Sequence, residues 1–297
     1  MNSSPSVATR PLEANSFIFP FFVRMIQSLR EMLYPVTCLT CGCFYTRKTD
    51  PGSAASGAPP TEFFLSESYE KAFQILLASH LCPDCASGFP PVRTPLCRSC
   101  GIMFRGGKGG DYVCRECIRS SRRLHKARAV GVYEDRLVEV IHRFKYDGKI
   151  QLARPLEILM FMAFIRHWAG DPVHLILPVP LHGERLRKRG FNQSYLLIKD
   201  WRMLTTKSHL PDFDYQVEKE ILQRSVKTKS QTGLNREQRR INLKGAFTVK
   251  DPAKIFGKRV LIVDDVNTTG TTLDECAQAL LGAGADRVDA LTLAKAL

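Results

Sequence analysis

The chain lacks any apolar run long enough to cross a bilayer: Phe17–Val23 is interrupted by Arg24 after about seven residues, where a spanning helix needs about 20. No small-residue cleavage pattern of a secretory leader follows that run, so the expectation is a cytoplasmic protein without a membrane span, with a docking helix at about 21–34. Neither G-x-x-x-x-G-K-S/T nor G-x-G-x-x-G occurs, which removes two glycine-rich nucleotide loops from consideration. Acidic residues are in deficit, 29 against 43 Lys and Arg, for a formal charge of +14. Such an excess favours a polyanionic partner or ligand, the plainer alternative being a merely basic surface.

What is present bounds the architecture. With 297 residues and 44% hydrophobic content, the chain can bury one substantial core and carry a small accessory module. Its 10 cysteines fall mostly in C-x-x-C pairs, which suit metal-bound thiolates in a reducing compartment better than disulfides.

The organisation reads as an extension over 1–30, a cysteine-rich module over 31–122 and a main domain over 125–297. Thr46–Pro60 has the Gly, Ser and Pro of a loop and too little apolar content to join a core, so a flexible insertion is expected over about 46–80. From Ala127, strand and helix patterns alternate: strands at 127–133 and 173–179, a helical pattern within 134–148, and helices over about 153–168 and 191–204. This alternation predicts an α/β fold with a parallel sheet flanked by helices.

The closing unit carries the chemistry. In VLIVDDVNTTGTT, Val260–Thr272, a buried strand delivers Asp264 and Asp265 to its carboxyl end, where ligands of open α/β sheets sit. Gly270 allows close backbone approach, and the N–H groups of the following helix, with the hydroxyls of Thr268, Thr269, Thr271 and Thr272, can cradle a dianionic phosphate. Two carboxylates would repel that phosphate, so their partners are sugar hydroxyls or the water around a divalent cation. The alternative is a turn whose Asp and Thr residues only cap a helix. The whole string matches the type I phosphoribosyltransferase signature, and Val266 and Asn267 belong to the same ligand loop.

Two basic segments accompany it. Arg185, Arg187, Lys188 and Arg189 crowd a turn before a helix opened by Asn192 or Ser194, a loop able to hold pyrophosphate or simply a solvated turn. The segment Leu222–Phe247, with Arg224, Lys227 and Gln231, reads as a mobile basic lid.

Cys38/Cys41, Cys82/Cys85, Cys97/Cys100 and Cys114/Cys117 form four C-x-x-C pairs. Two such pairs supply one tetrahedral zinc site, so one or two structural Zn²⁺ ions are expected, with sequential quartets preferred and interleaved ligation left open. Cys43 is an extra thiol, and Cys276 reads as a small core residue.

In order along the chain, the paired cysteines, HRFKYDG, LPVPLHGERLRKRGFNQS, RSVKTKSQTGLNREQRRINLKGAF and VLIVDDVNTTGTT resemble the ComF family over about residues 30–297. The resemblance implies a double zinc ribbon fused to a type I phosphoribosyltransferase fold, linked in bacteria to DNA uptake in natural transformation and to handling of single-stranded DNA, with other DNA-uptake proteins as further partners. It implies that Asp264 and Asp265 meet the ribose and Mg²⁺ of a phosphoribosyl pyrophosphate-like ligand, Thr268–Thr272 its 5-phosphate, and the loop Pro178, Val179, Pro180 and Leu181 its pyrophosphate, with Arg224, Lys227 and Gln231 on the lid. The chain departs from the family pattern in Cys43 and in the long insertion between Cys41 and Cys82. Binding of the ligand in a DNA-uptake role and catalytic phosphoribosyl transfer in nucleotide metabolism both remain open at this stage.

Overall fold

The computed structural model describes residues 35–46, 59–104, 109–119, 122–210, 213–225 and 243–297. The first cysteine pair lies between two short antiparallel strands, β1 (Val36–Thr37) and β2 (Phe44–Tyr45). Two helices follow, α1 (Thr61–Ser66) and α2 (Tyr69–Leu77), the latter capped by the Ser68 hydroxyl accepting from the Lys71 amide. α3 (Pro83–Ser87) carries Cys85, and α4 (Arg115–Arg119) carries Cys117.

The flexible insertion expected over about 46–80 is therefore helical from Thr61 on, a correction with a clear cause. Phe64, Ala72, Phe73 and Leu77 are fully buried, and the Phe64 ring meets Phe161 edge-on at 5.3 Å. Burial of two aromatic rings and their aliphatic neighbours outweighs the entropy of ordering the segment. Residues 47–58 and the helix expected at 21–34 lie outside the described residues.

Next come β3 (Ala127–Val132), α5 (Asp135–Tyr146), α6 (Ala153–Trp168) and β4 (Leu175–Pro178). α7 (Gly183–Arg189) follows, and where one helix was expected over about 191–204 the structure has two, α8 (Gln193–Leu196) and α9 (Trp201–Lys207). The crowded basic residues thus lie on α7 and not in a turn. Gly190 ends that helix at φ +82°, a left-handed conformation that glycine adopts without strain, and Asn192 caps α8 by accepting from the Ser194 amide.

β5 (Gln216–Val217), β6 (Leu222–Arg224), β7 (Phe247–Val249), β8 (Arg259–Asn267), α10 (Thr271–Gly282) and β9 (Arg287–Lys295) complete the chain. Five strands form one parallel sheet in the order β3-β9-β8-β4-β5. Alternate residues face opposite layers: Leu261 and Val263 of β8 join the apolar cluster around α6, whereas Val260 and Ile262 join the cluster beneath α10. α6 is apolar on nearly every side, as befits a helix sandwiched between the sheet and the α1–α2 layer. Cys38, Cys82 and Cys85 share that cluster, so the first cysteine quartet is built into the principal core. β6 and β7 pair antiparallel and hold together the two ends of the basic segment, most of which lies outside the described residues.

Candidate functional site

β8 carries Asp264 and Asp265 to the carboxyl edge of the sheet, and the chain then turns into α10 through Gly270, at φ +79°. A cleft of about 870 Å³ opens there. Its walls include Asp264, Asp265 and every residue from Val266 to Thr272, together with Val179, Leu181, Arg185, Lys188, Arg189 and Arg224. Pro178 is paired within β4 in register with Val263; neither it, Pro180 nor Arg187 lines the cleft. Arg187 instead folds back over the start of α7, its guanidinium 3.4 Å from where a Gly183 Cβ would stand. Lys227 and Gln231 lie outside the described residues.

The two carboxylates have different environments. Asp264 Oδ1 accepts from the Ser194 hydroxyl and from the Asp265 amide, both at 2.9 Å. Burial, reinforced by the Asp265 charge and opposed by Lys145, pushes the Asp264 pKa up to about 7. Asp265 Oδ1 meets the Lys145 ammonium at 2.7 Å. Burial works against the Lys145 charge, but Asp265, and Asp264 behind it, outweigh that cost and hold its pKa above the ordinary value.

Lys145 comes from the last turn of α5, inside HRFKYDG, and Ser194 from the first turn of α8, inside RGFNQS. Sequence reasoning missed both as site residues. The only available signal was that each sits at the edge of a segment already recognised.

Two buried acceptors in the loop, Asp265 Oδ2 and Asn267 Oδ1, have no hydrogen-bond partner among the described residues. Buried polar atoms are nearly always satisfied, so these two are suited to donors from a ligand. Arg185 and Arg224 line the same cleft, where burial and then repulsion from Arg185 depress the Arg224 pKa; cations gathered in this way suit an anion. Tyr133, Tyr146 and Phe191 add aromatic surface to the same cleft, and the Arg189 guanidinium stands 5.1 Å from the centre of the Tyr146 ring.

The cysteines assemble in sequential quartets: Cys38, Cys41, Cys82 and Cys85, then Cys97, Cys100, Cys114 and Cys117, each with its sulfur atoms within 4.8 Å of one another. Cys41–Cys82, Cys97–Cys117 and Cys100–Cys114 are each 3.8 Å apart. That equals the edge of a tetrahedron with metal–sulfur bonds of about 2.3 Å, so each quartet could hold a zinc ion. Cys43 stands outside the first quartet with its sulfur 3.2 Å from that of Cys41. Cys276 is fully buried in α10. Among the described residues, no helix is long and apolar enough to cross a membrane.

The family described as "Phosphoribosyl transferase domain" matches residues 214–297. DNA utilization protein YhgH of Escherichia coli O157:H7 is 31% identical over 220 residues, covering 73% of this chain and 91% of that protein. Competence protein F of Haemophilus influenzae is 29% identical, covering 72% and 96%. Competence protein ComFC of Bacillus subtilis is 28% identical, covering 78% and 91%. With a phosphoribosyltransferase-type domain, a five-stranded parallel sheet and paired cysteine clusters ahead of it, the chain belongs to the ComF family.

Proposed function

We propose that the cleft binds a 5-phosphoribosyl-1-pyrophosphate-like ligand with Mg²⁺, and that the chain acts with that ligand in handling single-stranded DNA during DNA uptake. The names of the relatives, two of them competence proteins and one a DNA utilization protein, support a competence-related role. The observation that carries the ligand reading is the joining, in one cleft, of a buried carboxylate pair to a threonine-rich loop at a helix N-terminus.

In this reading the amides and hydroxyls of Thr268–Thr272 hold the 5-phosphate at the positive end of α10. Asp265 Oδ2 and Asn267 Oδ1 accept from ribose hydroxyls, and Arg185, Lys188, Arg189 and Arg224 surround the pyrophosphate. The carboxylate pair offers the hard oxygen donors that Mg²⁺ prefers, and the ion would neutralise charge on the pyrophosphate. Lys145 balances the Asp265 charge across their 2.7 Å contact.

Titration calorimetry of the zinc-loaded protein with 5-phosphoribosyl-1-pyrophosphate and Mg²⁺ tests the reading. Binding that is lost in Asp264→Asn/Asp265→Asn, with the fold intact, is expected; no binding by the unaltered protein sinks the proposal.

Catalytic phosphoribosyl transfer is a second reading, favoured by Tyr133, Tyr146 and Phe191, whose apolar surface suits a nucleobase beside the ribosyl centre. The base nitrogen would form a bond to C1 of the ribose while the bond from C1 to the pyrophosphate oxygen breaks, the electron pair leaving on pyrophosphate and the nitrogen's proton passing to the departing pyrophosphate or to water. Pyrophosphate release in a screen of nucleobases, abolished in Asp265→Ala, is the expected sign, and release without dependence on Asp265 argues against it.

The DNA role rests on the formal charge of +14 and on the cations of α7. Lys188→Ala with Arg189→Ala is expected to weaken single-stranded DNA binding and flatten its dependence on salt by about two phosphate contacts. Unchanged affinity and slope would remove α7 from the DNA path.

A further inference from the structure

The cysteine-rich module reaches the ligand loop through Arg122. A Cβ placed on Gly270 would lie 3.8 Å from an Arg122 guanidinium nitrogen and 3.6 Å from Asn267 Oδ1, so this cation stands beside the turn that opens α10, just beyond the residues that line the cleft. Its side chain is only 20% exposed, and its other nitrogen faces Glu116 at 3.6 Å. Glu116 lies on α4 between Cys114 and Cys117, so the second quartet holds the acid that holds Arg122.

One further contact fixes the module at this edge, and a buried cation stands near it. Arg123 donates from its backbone amide and its guanidinium to Asp274 in the first turn of α10, the latter at 2.6 Å. The buried Lys295 lies within electrostatic reach of Cys100, Cys117 and Arg122, and its strand position is in register with Asn267 of the loop.

We propose that Arg122 is a binding residue for the 5-phosphate of the phosphoribosyl ligand, contributed by the cysteine-rich module and positioned by Glu116 and the second cysteine quartet. The inference rests on the ligand reading given above and deepens it: the module completes the phosphate site. A guanidinium beside the N-terminus of α10 adds a planar, permanently charged donor to the neutral amide and hydroxyl donors of the loop. Its partial burial keeps the charge from being screened by solvent, and a 3.6 Å contact with Glu116 is loose enough for a phosphate oxygen to compete for the same guanidinium.

The test is titration calorimetry on the full zinc-loaded chain with two probes, 5-phosphoribosyl-1-pyrophosphate with Mg²⁺ and inorganic pyrophosphate with Mg²⁺. Arg122→Gln is expected to weaken the first by about tenfold, the size of one charge-assisted hydrogen bond, and to leave the second unchanged, because pyrophosphate carries no 5-phosphate. Arg122→Lys should recover part of the loss, and Glu116→Ala should show a smaller loss with the same selectivity. Unchanged affinity of Arg122→Gln for the first probe, while Asp264→Asn/Asp265→Asn loses it, overturns the inference and leaves the ligand reading standing. Equal loss for both probes makes Arg122 a structural residue and overturns it as well. Absence of binding by the unaltered protein removes the ligand reading and this inference together.

Discussion

Lys145 Nζ lies 2.7 Å from Asp265 Oδ1, with the two side chains 15% and 5% exposed. The pair joins the end of α5 to the end of β8 across 120 residues of sequence, and it keeps two adjacent carboxylates from facing each other without compensation. Removing one partner of a buried pair costs more than the pair contributes, because the other charge is stranded. Lys145→Met is therefore expected to lower stability by about 3 kcal/mol at neutral pH, measured by urea unfolding. A loss below about 0.5 kcal/mol, the range of ordinary surface changes, would show that Asp265 finds another counter-charge.

Asp264 gives the stability a pH dependence of known sign. Its pKa in the fold is about 7 against an ordinary 3.8, so between those values the folded chain binds the proton more readily than the unfolded one. Its contribution is fully present below about pH 4 and is lost as pH rises through about 7. The difference in unfolding free energy between the unaltered protein and Asp264→Asn is expected to fall with pH across that window, by at most about 1.4 kcal/mol per pH unit. It should be flat outside the window. A difference that rises with pH would mean that Asp264 is held ionised in the fold.

The loop was legible because its signal is contiguous: apolar residues bury a strand, two acids follow near its end, and threonines with a glycine lead into a helix, all within Val260–Thr272. The four cysteine pairs were legible from spacing, since a C-x-x-C pair already positions two potential ligands, but spacing left interleaved grouping open, and only the fold brings the pairs together in sequential quartets. Lys145, Ser194 and Arg122 were not, because each reaches the loop from a distant segment through tertiary packing, which periodicity does not encode. α1 and α2 were hidden by the Gly, Ser and Pro of the stretch before them, although Phe64, Phe73 and Leu77 carry the apolar content that buries them. Arg187 was grouped with its neighbours by sequence, yet on α7 it points away from the face that Arg185, Lys188 and Arg189 present.

Gly101 tests how the second cysteine quartet is seated. It has φ +68°, and a Cβ there would lie 2.4 Å from the backbone oxygen of Ala127 in β3, an atom that cannot rotate away. The neighbouring Ser99 oxygen accepts from the Ala127 amide at 2.7 Å, so the loop and the strand are in direct contact. Gly101→Ala combines a left-handed backbone with overpacking and is expected to cost about 3 kcal/mol, read from thermal unfolding, with easier loss of metal from the second quartet. Full stability in this variant would show that the loop can lift off β3 without consequence.

The two quartets should also differ in what metal removal does. Both have sulfur spacings that suit a tetrahedral ion, so metal analysis is expected to give two zinc ions per chain. Cys38, Cys82 and Cys85 are buried in the cluster that also contains Phe64, Phe73 and most of α6, with Cys41 exposed, whereas in the second quartet Cys97 and Cys100 are buried outside the two principal apolar clusters and Cys114 and Cys117 are half-buried. Binding energy of a structural zinc is folding energy for whatever packs around it. Cys82→Ser should therefore release one zinc and lower the unfolding transition of the whole domain, detected by the fluorescence of the buried Trp168 and Trp201. Cys114→Ser should release one zinc while that transition moves much less, the change being confined to the loop and to α4. If both variants lower the tryptophan transition equally, the second quartet is as deeply coupled to the core as the first; if neither releases zinc, the thiols are not its ligands.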